Sequence, residues 1–341
     1  MYVLAMFYGT IFEKRGVQMR IIVSGNTSGT FNLVLEKYLV DNFMEDTFII
    51  WSNSHGVYIG KNQNTLEELN MDFVNENNFE VFRRLSGGGT IFHDMNTVYY
   101  SFITKNERTV KDNFIHWNNV IVEFLNSVNV KAELSGRNDV LIEGRKISGS
   151  AEHYSSDLLV HHGSLLFDTD IAFLAKSLTP NKKKFLSKAV NSVKARVDNI
   201  ANHTSLSVEE FKNELVKFVE KKYKGVHAPI TELEIEETNK MIEDFYGTYE
   251  WNFGKSPKYT HFKEDKYPYG IVGVKLEVKE GLIKNINILG DFFSKADISE
   301  LEKMFIGCKH ELSSINKIVS NTEISKYIVG AIDEDLVKLI W

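Results

Sequence analysis

Two arginines, a serine and three glycines in a row form the first segment whose residue types could do chemistry: Arg83-Arg84-Leu85-Ser86-Gly87-Gly88-Gly89-Thr90-Ile91-Phe92-His93-Asp94. Consecutive glycines cost conformational entropy, so a folded chain keeps them where side chains would obstruct something or where φ must be positive. Without Cβ atoms, successive N–H groups can converge on an anion, and an adjacent guanidinium can grip phosphate or carboxylate oxygens through two parallel hydrogen bonds. A tight turn between two strands would ask for the same glycines, and the spacing matches neither a Walker loop nor a dinucleotide fingerprint. On the glycines alone, turn and anion site both stay open.

The second segment is Gly136-Arg137-Asn138-Asp139-Val140-Leu141-Ile142 followed by Gly144-Arg145-Lys146-Ile147-Ser148-Gly149-Ser150-Ala151. Glu143-Gly144 between two β-rich runs reads as a hairpin. The hairpin places Lys146 on a strand beside small residues, where its ammonium can project over an open floor. A lysine with a reference pKa of ~10.4 stays charged at neutral pH and can neutralise a phosphate while drawing electron density from a nearby carbonyl. A solvated strand lysine is the bland alternative for this motif taken alone.

Together the two segments resemble the lipoate–protein ligase family, through Arg-Arg-x-Ser-Gly-Gly-Gly-x-x-x-His-Asp and Gly-Arg-Asn-Asp followed by Lys-x-Ser-Gly-Ser-Ala. Order and spacing also match. The resemblance extends upstream through Trp51-Ser52-Asn53 and Ile59-Gly60-Lys61-Asn62-Gln63-Asn64, and downstream through His161-His162-Gly163-Ser164-Leu165-Leu166, Ser192-Val193-Lys194-Ala195-Arg196-Val197 and Lys255-Ser256-Pro257-Lys258-Tyr259. It covers nearly the whole chain from Met19. It implies an α+β fold: a large mixed-sheet catalytic domain of the biotin/lipoate ligase type and a small α+β C-terminal domain.

The resemblance also implies a reaction. Lipoate's carboxylate is a poor acyl donor, because its charge repels a nucleophile and oxide is a bad leaving group. Attack on the α-phosphate of ATP gives lipoyl-AMP and pyrophosphate, and an acceptor lysine then displaces AMP. By carry-over, Arg84 and the backbone of Gly87, Gly88, Gly89, Thr90, Ile91 and Phe92 hold the adenylate, and Lys146 bridges phosphate and acyl oxygen as the catalytic group. Residues 182–199 resemble an adenylate-covering loop, in which Ser192, Val193 and Arg196 approach the nucleotide and exclude water. Lipoate is expected beside Arg84, Gly88, His93, Lys146, Gly149, His162, Gly163 and Ser164. Mg²⁺ is expected to accompany the pyrophosphate, with Asp139 as a contributor, whereas Asp94 is read as capping or orienting the glycine loop. The histidines are not read as metal ligands. Burying about five methylenes at ~0.8 kcal/mol each contributes roughly 4 kcal/mol before entropic costs, enough to select an eight-carbon acid over a short one but not lipoate over octanoate.

The implied protein partners are acceptor lipoyl domains of 2-oxoacid dehydrogenase complexes or the glycine-cleavage carrier. Lys182-Lys183-Lys184 suits an acidic carrier or a plain solvated face. Three rivals remain: an ATP-independent octanoyl or lipoyl transferase, a biotin ligase, and a non-catalytic acyl- or nucleotide-binding regulator. Transferases with a cysteine nucleophile need it in the catalytic domain, but the only cysteine here is Cys308. The Gly-Arg-Gly-Arg signature of biotin ligases is absent, and the intact Lys146 and glycine loop weigh against a regulator.

Several elements must position these residues. Strand-like runs cover Arg20 to Val23, Thr47 to Trp51, Gly56 to Gly60, Glu80 to Arg84, Thr90 to His93, Thr97 to Thr104 and Leu158 to Phe167. A helix is expected over 28–43, with Phe31, Val34, Leu35, Tyr38 and Leu39 on one side. Thr65 to Glu68 has capping-box spacing and opens a helix to about Asn77. Phe114, Trp117, Ile121, Phe124 and Val128 recur every three or four positions after Val110 and make an amphipathic helix. Helices near 208–223 and 231–246 precede an aromatic, Gly/Pro-rich run from Tyr249 to Tyr269, read as the domain junction and pivot. A hairpin around Glu280-Gly281 and several short helices complete the small domain.

The expected domains are thus a catalytic unit over 19–248 and an accessory unit over 249–341. Residues 1–18 are read as an upstream-start or artificial extension, since Met19 directly precedes the first strand. Met1 to Phe12 lacks a basic leader and a cleavage site, and no run approaches the ~20 apolar residues of a spanning helix, so neither export nor membrane insertion is expected. The net charge is −6, and no domain-sized stretch is strongly basic, which speaks against nucleic acid as the main partner. A single cysteine permits no intrachain disulfide and no cysteine zinc site, and fits a cytoplasmic location.

Overall fold

The computed structural model describes residues 18–136, 138–178, 196–253, 261–279 and 281–341. In chain order the strands of the first unit are β1 (Arg20–Val23), β2 (Thr47–Trp51), β3 (Gly56–Ile59), β4 (Glu80–Arg83), β5 (Ile91–His93), β6 (Thr97–Lys105), β7 (Glu133–Ser135), β8 (Asp139–Ile142), β9 (Arg145–Ser155), β10 (Leu158–Leu166) and β11 (Val226–His227). Eight of them form one sheet in the order β11-β1-β2-β6-β10-β9-β8-β7. β1 runs parallel to β2 and β11, and the pairs from β2–β6 onward are antiparallel, so the sheet is mixed. β4, β3 and β5 form a smaller sheet, and the glycine segment is the connection from β4 to β5.

Helix α1 (Gly29–Asp41) starts at Ser28, whose side chain accepts the Phe31 N–H. The Glu80 carboxylate accepts the Gly29 and Thr30 N–H groups, each at 2.9 Å, and so neutralises the positive helix end. Burial alone would raise the pKa of Glu80, but hydrogen bonds from Thr30, Gly29 and Ser28 outweigh it and hold the value below that of an ordinary glutamate. Helix α2 (Val110–Ser127) buries Phe114, Trp117, Ile121 and Phe124, the stripe expected from the sequence. At about 1.5–3 kcal/mol per large apolar side chain, those four stabilise the packing by roughly 6–12 kcal/mol before entropic costs. Helices α3 (Val208–Tyr223) and α4 (Glu232–Met241) complete the large unit, and α4 packs on α1.

The second core belongs to a three-stranded antiparallel sheet, β12 (His261–Tyr267), β13 (Gly270–Lys279) and β14 (Leu282–Gly290), covered by α5 (Ile298–Phe305), α6 (Leu312–Ser320) and α7 (Asp333–Ile340). The architecture is α+β, with a large mixed sheet and a small sheet-and-helix unit. No helix among the described residues is long and apolar enough to cross a membrane.

Two local expectations change. The helix expected from Thr65 to about Asn77 is two short ones, Thr65–Glu68 and Met71–Glu76, because Leu69 pairs with Leu178 and Asn70 caps the second piece. The run from Tyr249 to Tyr269 holds a helix, Tyr249–Phe253, and strand β12, so only residues 254–260 between them lie outside the described residues. That helix is fastened to the large unit. Arg83, fully buried, donates to the carbonyls of Trp251 (3.0 Å) and Gln63 (2.6 Å), and the Trp251 indole N–H returns a bond to the Arg83 carbonyl (2.8 Å).

Candidate active site

The β4–β5 glycine connection, the β8–β9 hairpin and strand β10 meet around one cavity of about 440 Å³. From the glycine segment, Arg84, Gly88, Gly89, Thr90, Ile91 and Phe92 line it. Asp139, Lys146 and Gly149 enter from the hairpin, and His162, Gly163 and Ser164 from β10. The apolar or aromatic side chains of Leu33, Trp51, Tyr99 and Leu166 also face it. Trp51 and Tyr99 stack with centroids 5.7 Å apart.

The hairpin forms as its turn residues predict, with Ile142 opposite Arg145 and Leu141 opposite Lys146. A register irregularity at Val140/Leu141 lets Lys146 lean back along its own strand: Nζ and Cε would lie 3.0 and 3.1 Å from a Cβ at position 149. Any residue larger than glycine there would displace the ammonium. Lys146 Nζ pairs with Asp139 Oδ1 at 2.7 Å, and both side chains are partly exposed. The backbone on either side is tied to the next segment, since Lys146 N–H donates to the Arg196 carbonyl (2.8 Å) and Asp198 N–H to the Lys146 carbonyl (2.9 Å). Val197 lines the cavity, whereas Arg196 is exposed and does not. Ser192 and Val193 lie outside the described residues.

The two neighbouring arginines have different surroundings. Arg84 is buried and donates to neutral oxygens only: Ser86 Oγ (3.1 Å), the Gly87 carbonyl (2.7 Å), the Gly89 carbonyl (2.8 Å) and, more weakly, the Tyr58 carbonyl (3.4 Å). No described carboxylate pairs with it. Burial lowers its pKa to about 10, still charged at neutral pH. A buried cation without an anion is costly, and here it borders an open cavity.

Each glycine of the trio has its own reason. A Cβ on Gly87 would sit 2.2 Å from the Phe292 carbonyl oxygen, so the small unit presses directly on this residue. Gly88 has φ +96°, which side chains rarely adopt, and its missing Cβ leaves room for the Arg84 guanidinium. Gly89 has nothing within 4 Å on that side and opens onto the cavity. The small unit also contributes Asp291 and Phe293 to the lining, and holds position through Gly290 N–H to the Asn62 carbonyl (3.0 Å) and Lys61 to Asp297 (3.4 Å).

Besides Arg196, two expected ligand neighbours do not line the cavity. Gly87 meets the small unit instead. His93 is fully buried away from the cavity: Nδ1 faces the Ser54 carbonyl at 2.7 Å, the ring packs on Tyr58 with centroids 4.4 Å apart, and burial pushes its pKa down to about 4. Strand alternation explains this, since Phe92 and His93 point to opposite sides. Asp94, which lies outside the cavity, accepts the Asn96 and Asp170 N–H groups and orders the turn after β5. Sequence reasoning missed Leu33, Trp51, Tyr58 and Tyr99, whose apolar character reads as plain core, and missed Asp291 and Phe293 because they come from the other unit. Among the described residues no cluster of three or more His, Cys, Asp or Glu side chains suits a metal ion. Cys308 is remote from the cavity, with its thiol pKa raised by burial.

The arrangement accommodates an amphiphilic anion: two cations, a set of backbone groups free of side chains, and an apolar aromatic wall share one space. The comparisons agree with that class. Residues 28–220 match the family model of the lipoyl protein ligase A/B catalytic domain, and residues 256–340 match that of the bacterial lipoate protein ligase C-terminus. Lipoate-protein ligase LplJ of Bacillus subtilis is 35% identical over 91% of this chain and 96% of its own length. Lipoate–protein ligase 1 of Staphylococcus aureus is 35% identical over 94% of this chain and 100% of its own. P. falciparum LipL1, solved in complex with lipoate, superposes with a TM-score of 0.76 at 25% identity, covering 94% of this chain and 97% of that one. A lipoate-protein ligase A solved with ATP bound shares the fold at TM-score 0.61 and 22% identity, over 70% and 99% of the two chains. The chain belongs to the lipoate–protein ligase family.

Proposed function

We propose that this protein activates lipoate with ATP to lipoyl-AMP, releasing pyrophosphate, and then transfers the lipoyl group to a lysine of an acceptor lipoyl domain. The observation that carries the reading is the buried, carboxylate-free Arg84 guanidinium bordering the same cavity as Lys146 and the Trp51–Tyr99 wall. The acyl tail lies along the apolar side, beside His162, Gly163 and Ser164, while the carboxylate and α-phosphate lie toward the cations. In the first step a carboxylate oxygen attacks the α-phosphorus and the bond to pyrophosphate breaks; Lys146 neutralises charge on phosphate and acyl oxygen. In the second, the acceptor amine attacks the carbonyl and AMP leaves with the bonding pair. Arg84 and the backbone of Gly88 to Phe92 hold the adenylate. The backbone of Arg196 and Asp198 stays beside it, a reading supported by their bonds to Lys146.

Asp139 is one carboxylate on a cavity that would receive phosphates. That suits Mg²⁺, which binds through one or two carboxylates plus substrate phosphates and water. Asp139 would hold the ion, which supplies charge neutralisation of the departing pyrophosphate. The proposed acceptors are lipoyl domains of 2-oxoacid dehydrogenase complexes or the glycine-cleavage carrier, in the cytoplasm, and octanoate is an alternative acid. Residues 19–248 together with the helix Tyr249–Phe253 form the catalytic part, and the remainder is the accessory part. The ATP-independent transferase route is disfavoured because the only thiol lies away from the cavity.

The test is an apo lipoyl domain incubated with the protein, lipoate and ATP, read by intact mass. A single lipoyl adduct that requires ATP is expected. Modification that proceeds equally from an acyl carrier without ATP would establish the transferase instead.

A further inference from the structure

Glu36 belongs to none of the motifs above, yet it ends a chain of hydrogen bonds that reaches the site. Its carboxylate oxygens lie 2.9 and 3.2 Å from His162 Nδ1, His162 Nε2 lies 2.6 Å from Ser86 Oγ, and Ser86 Oγ accepts the Arg84 Nε–H at 3.1 Å. All four residues are less than a tenth exposed. For a neutral imidazole one assignment satisfies every group in the chain. Arginine has donors and no acceptor, so the serine oxygen must accept from it. The one hydroxyl proton then needs another partner, and the side-chain acceptor within reach among the described residues is Nε2 of His162. That nitrogen must carry a lone pair, so the ring proton sits on Nδ1, where the carboxylate receives it. The opposite tautomer would leave the buried hydroxyl proton and the carboxylate both without partners, which is expensive.

We propose that Glu36 is a positioning residue for the acyl-activating site: through His162 and Ser86 it orients Arg84, and through Arg84 the carbonyls of Gly87 and Gly89. This rests on the ligase reading above. A serine–histidine–carboxylate order also suits nucleophilic catalysis, but Ser86 is 1% exposed and does not line the cavity, and its oxygen is engaged by Arg84. The chain therefore serves orientation. Arg84 grips its two glycine carbonyls through Nη2, and Nε fixes the plane of the guanidinium; when Ser86 reorients, that plane can rotate away from the loop. Asn32, one helical turn before Glu36, is likewise buried and donates to the Asn53 side chain (3.1 Å), so this side of α1 is a polar stripe inside the protein.

The test has a spectroscopic and a kinetic arm. In histidine-¹⁵N-labelled protein, with His162 assigned by its loss in H162Q, we expect the Nδ1-protonated tautomer in the wild type and in E36Q, whose amide carbonyl accepts the same bond. In E36M the proton should move to Nε2. In lipoate-dependent exchange of pyrophosphate into ATP, E36M should lower kcat/KM roughly ten- to hundredfold, and E36Q should stay within roughly threefold. The double variant S86A/E36M should be no worse than the poorer single variant, because both cut one chain. A wild-type His162 protonated on Nε2 overturns the proposal, whether or not E36M folds. Wild-type kinetics in a folded E36M, or fully additive losses in the double variant, overturn it as well. Absence of exchange in the wild type would instead defeat the ligase reading, while the tautomer still reports on the relay.

Discussion

His161 and His162 are consecutive on β10 and each meets a glutamate, but they lie on opposite faces of the sheet. On the core face, His161 Nδ1 is 2.9 Å from Glu152 Oε1, and both side chains are fully buried. Phe114 and Trp117 of α2 pack over the ring, with centroids 5.8 and 6.5 Å away, and the Tyr154 hydroxyl donates to Glu152. Burial there lifts Glu152 to about 8 and holds His161 well below an ordinary histidine. On the other face, the His162–Glu36 pair borders the cavity and continues through Ser86 to Arg84. A buried histidine–carboxylate pair is therefore no sign of function by itself. What distinguishes the two is whether the chain of bonds ends in packed rings or in a cation facing open space.

That contrast is sharpened most by Lys146→Ala, which removes a cation from the cavity face. Exchange of pyrophosphate should fall roughly 10²–10³-fold. The thermal midpoint should move by no more than about 2 °C, because a half-exposed ion pair contributes little. Comparable activity in the variant would take this lysine out of the mechanism. His161→Ala, on the core face, should do the reverse: a loss of roughly 2–4 kcal/mol in stability measured by denaturant unfolding, with near-normal turnover per folded molecule. If it inactivates folded protein, the two faces are not separable.

Glu152→Gln tests the core pair by pH. The group's value rises from 4.5 to about 8 in the fold, so between those limits the native state holds a proton that the unfolded chain has released. Stability from this site is complete below pH 4.5 and declines as pH climbs toward 8, by at most ~1.4 kcal/mol per pH unit. The melting point of Glu152→Gln relative to wild type should therefore increase from pH 5 to 8 and level off above; a flat difference would mean that the carboxyl is ionised in the fold. Smallest of all, Cys308→Ser should change exchange activity by less than about twofold and stability by under ~0.5 kcal/mol. Inactivation would revive a thioester route.

Much of this was legible in the sequence where local rules decide. Glu143-Gly144 specified the hairpin and so put Lys146 on a strand beside small residues, but not its ion pair with Asp139. The period of Phe114, Trp117, Ile121 and Phe124 specified the helix that seals the core face. What stayed hidden depends on contacts between distant parts. Gly87 looked like a ligand contact, but its missing Cβ makes way for the Phe292 carbonyl of another unit. Arg83, which no expectation placed, turns inward to fasten Trp251. Glu36 and His162 are 126 positions apart, and the only hint was that Asn32 and Glu36, one turn apart, sit among the apolar residues Phe31, Leu33, Val34 and Leu35. His93 was assigned by its place in a motif, and strand alternation sends it to the other side.

The most direct trial of the account is the exchange of labelled pyrophosphate into ATP by purified protein, with and without lipoate, in wild type and Lys146→Ala. Label should enter ATP only when lipoate is present, and should nearly disappear in the variant. Label that appears without the acid, or none from an active, folded wild type that still lipoylates an acceptor, would contradict an acyl-adenylate formed in this cavity.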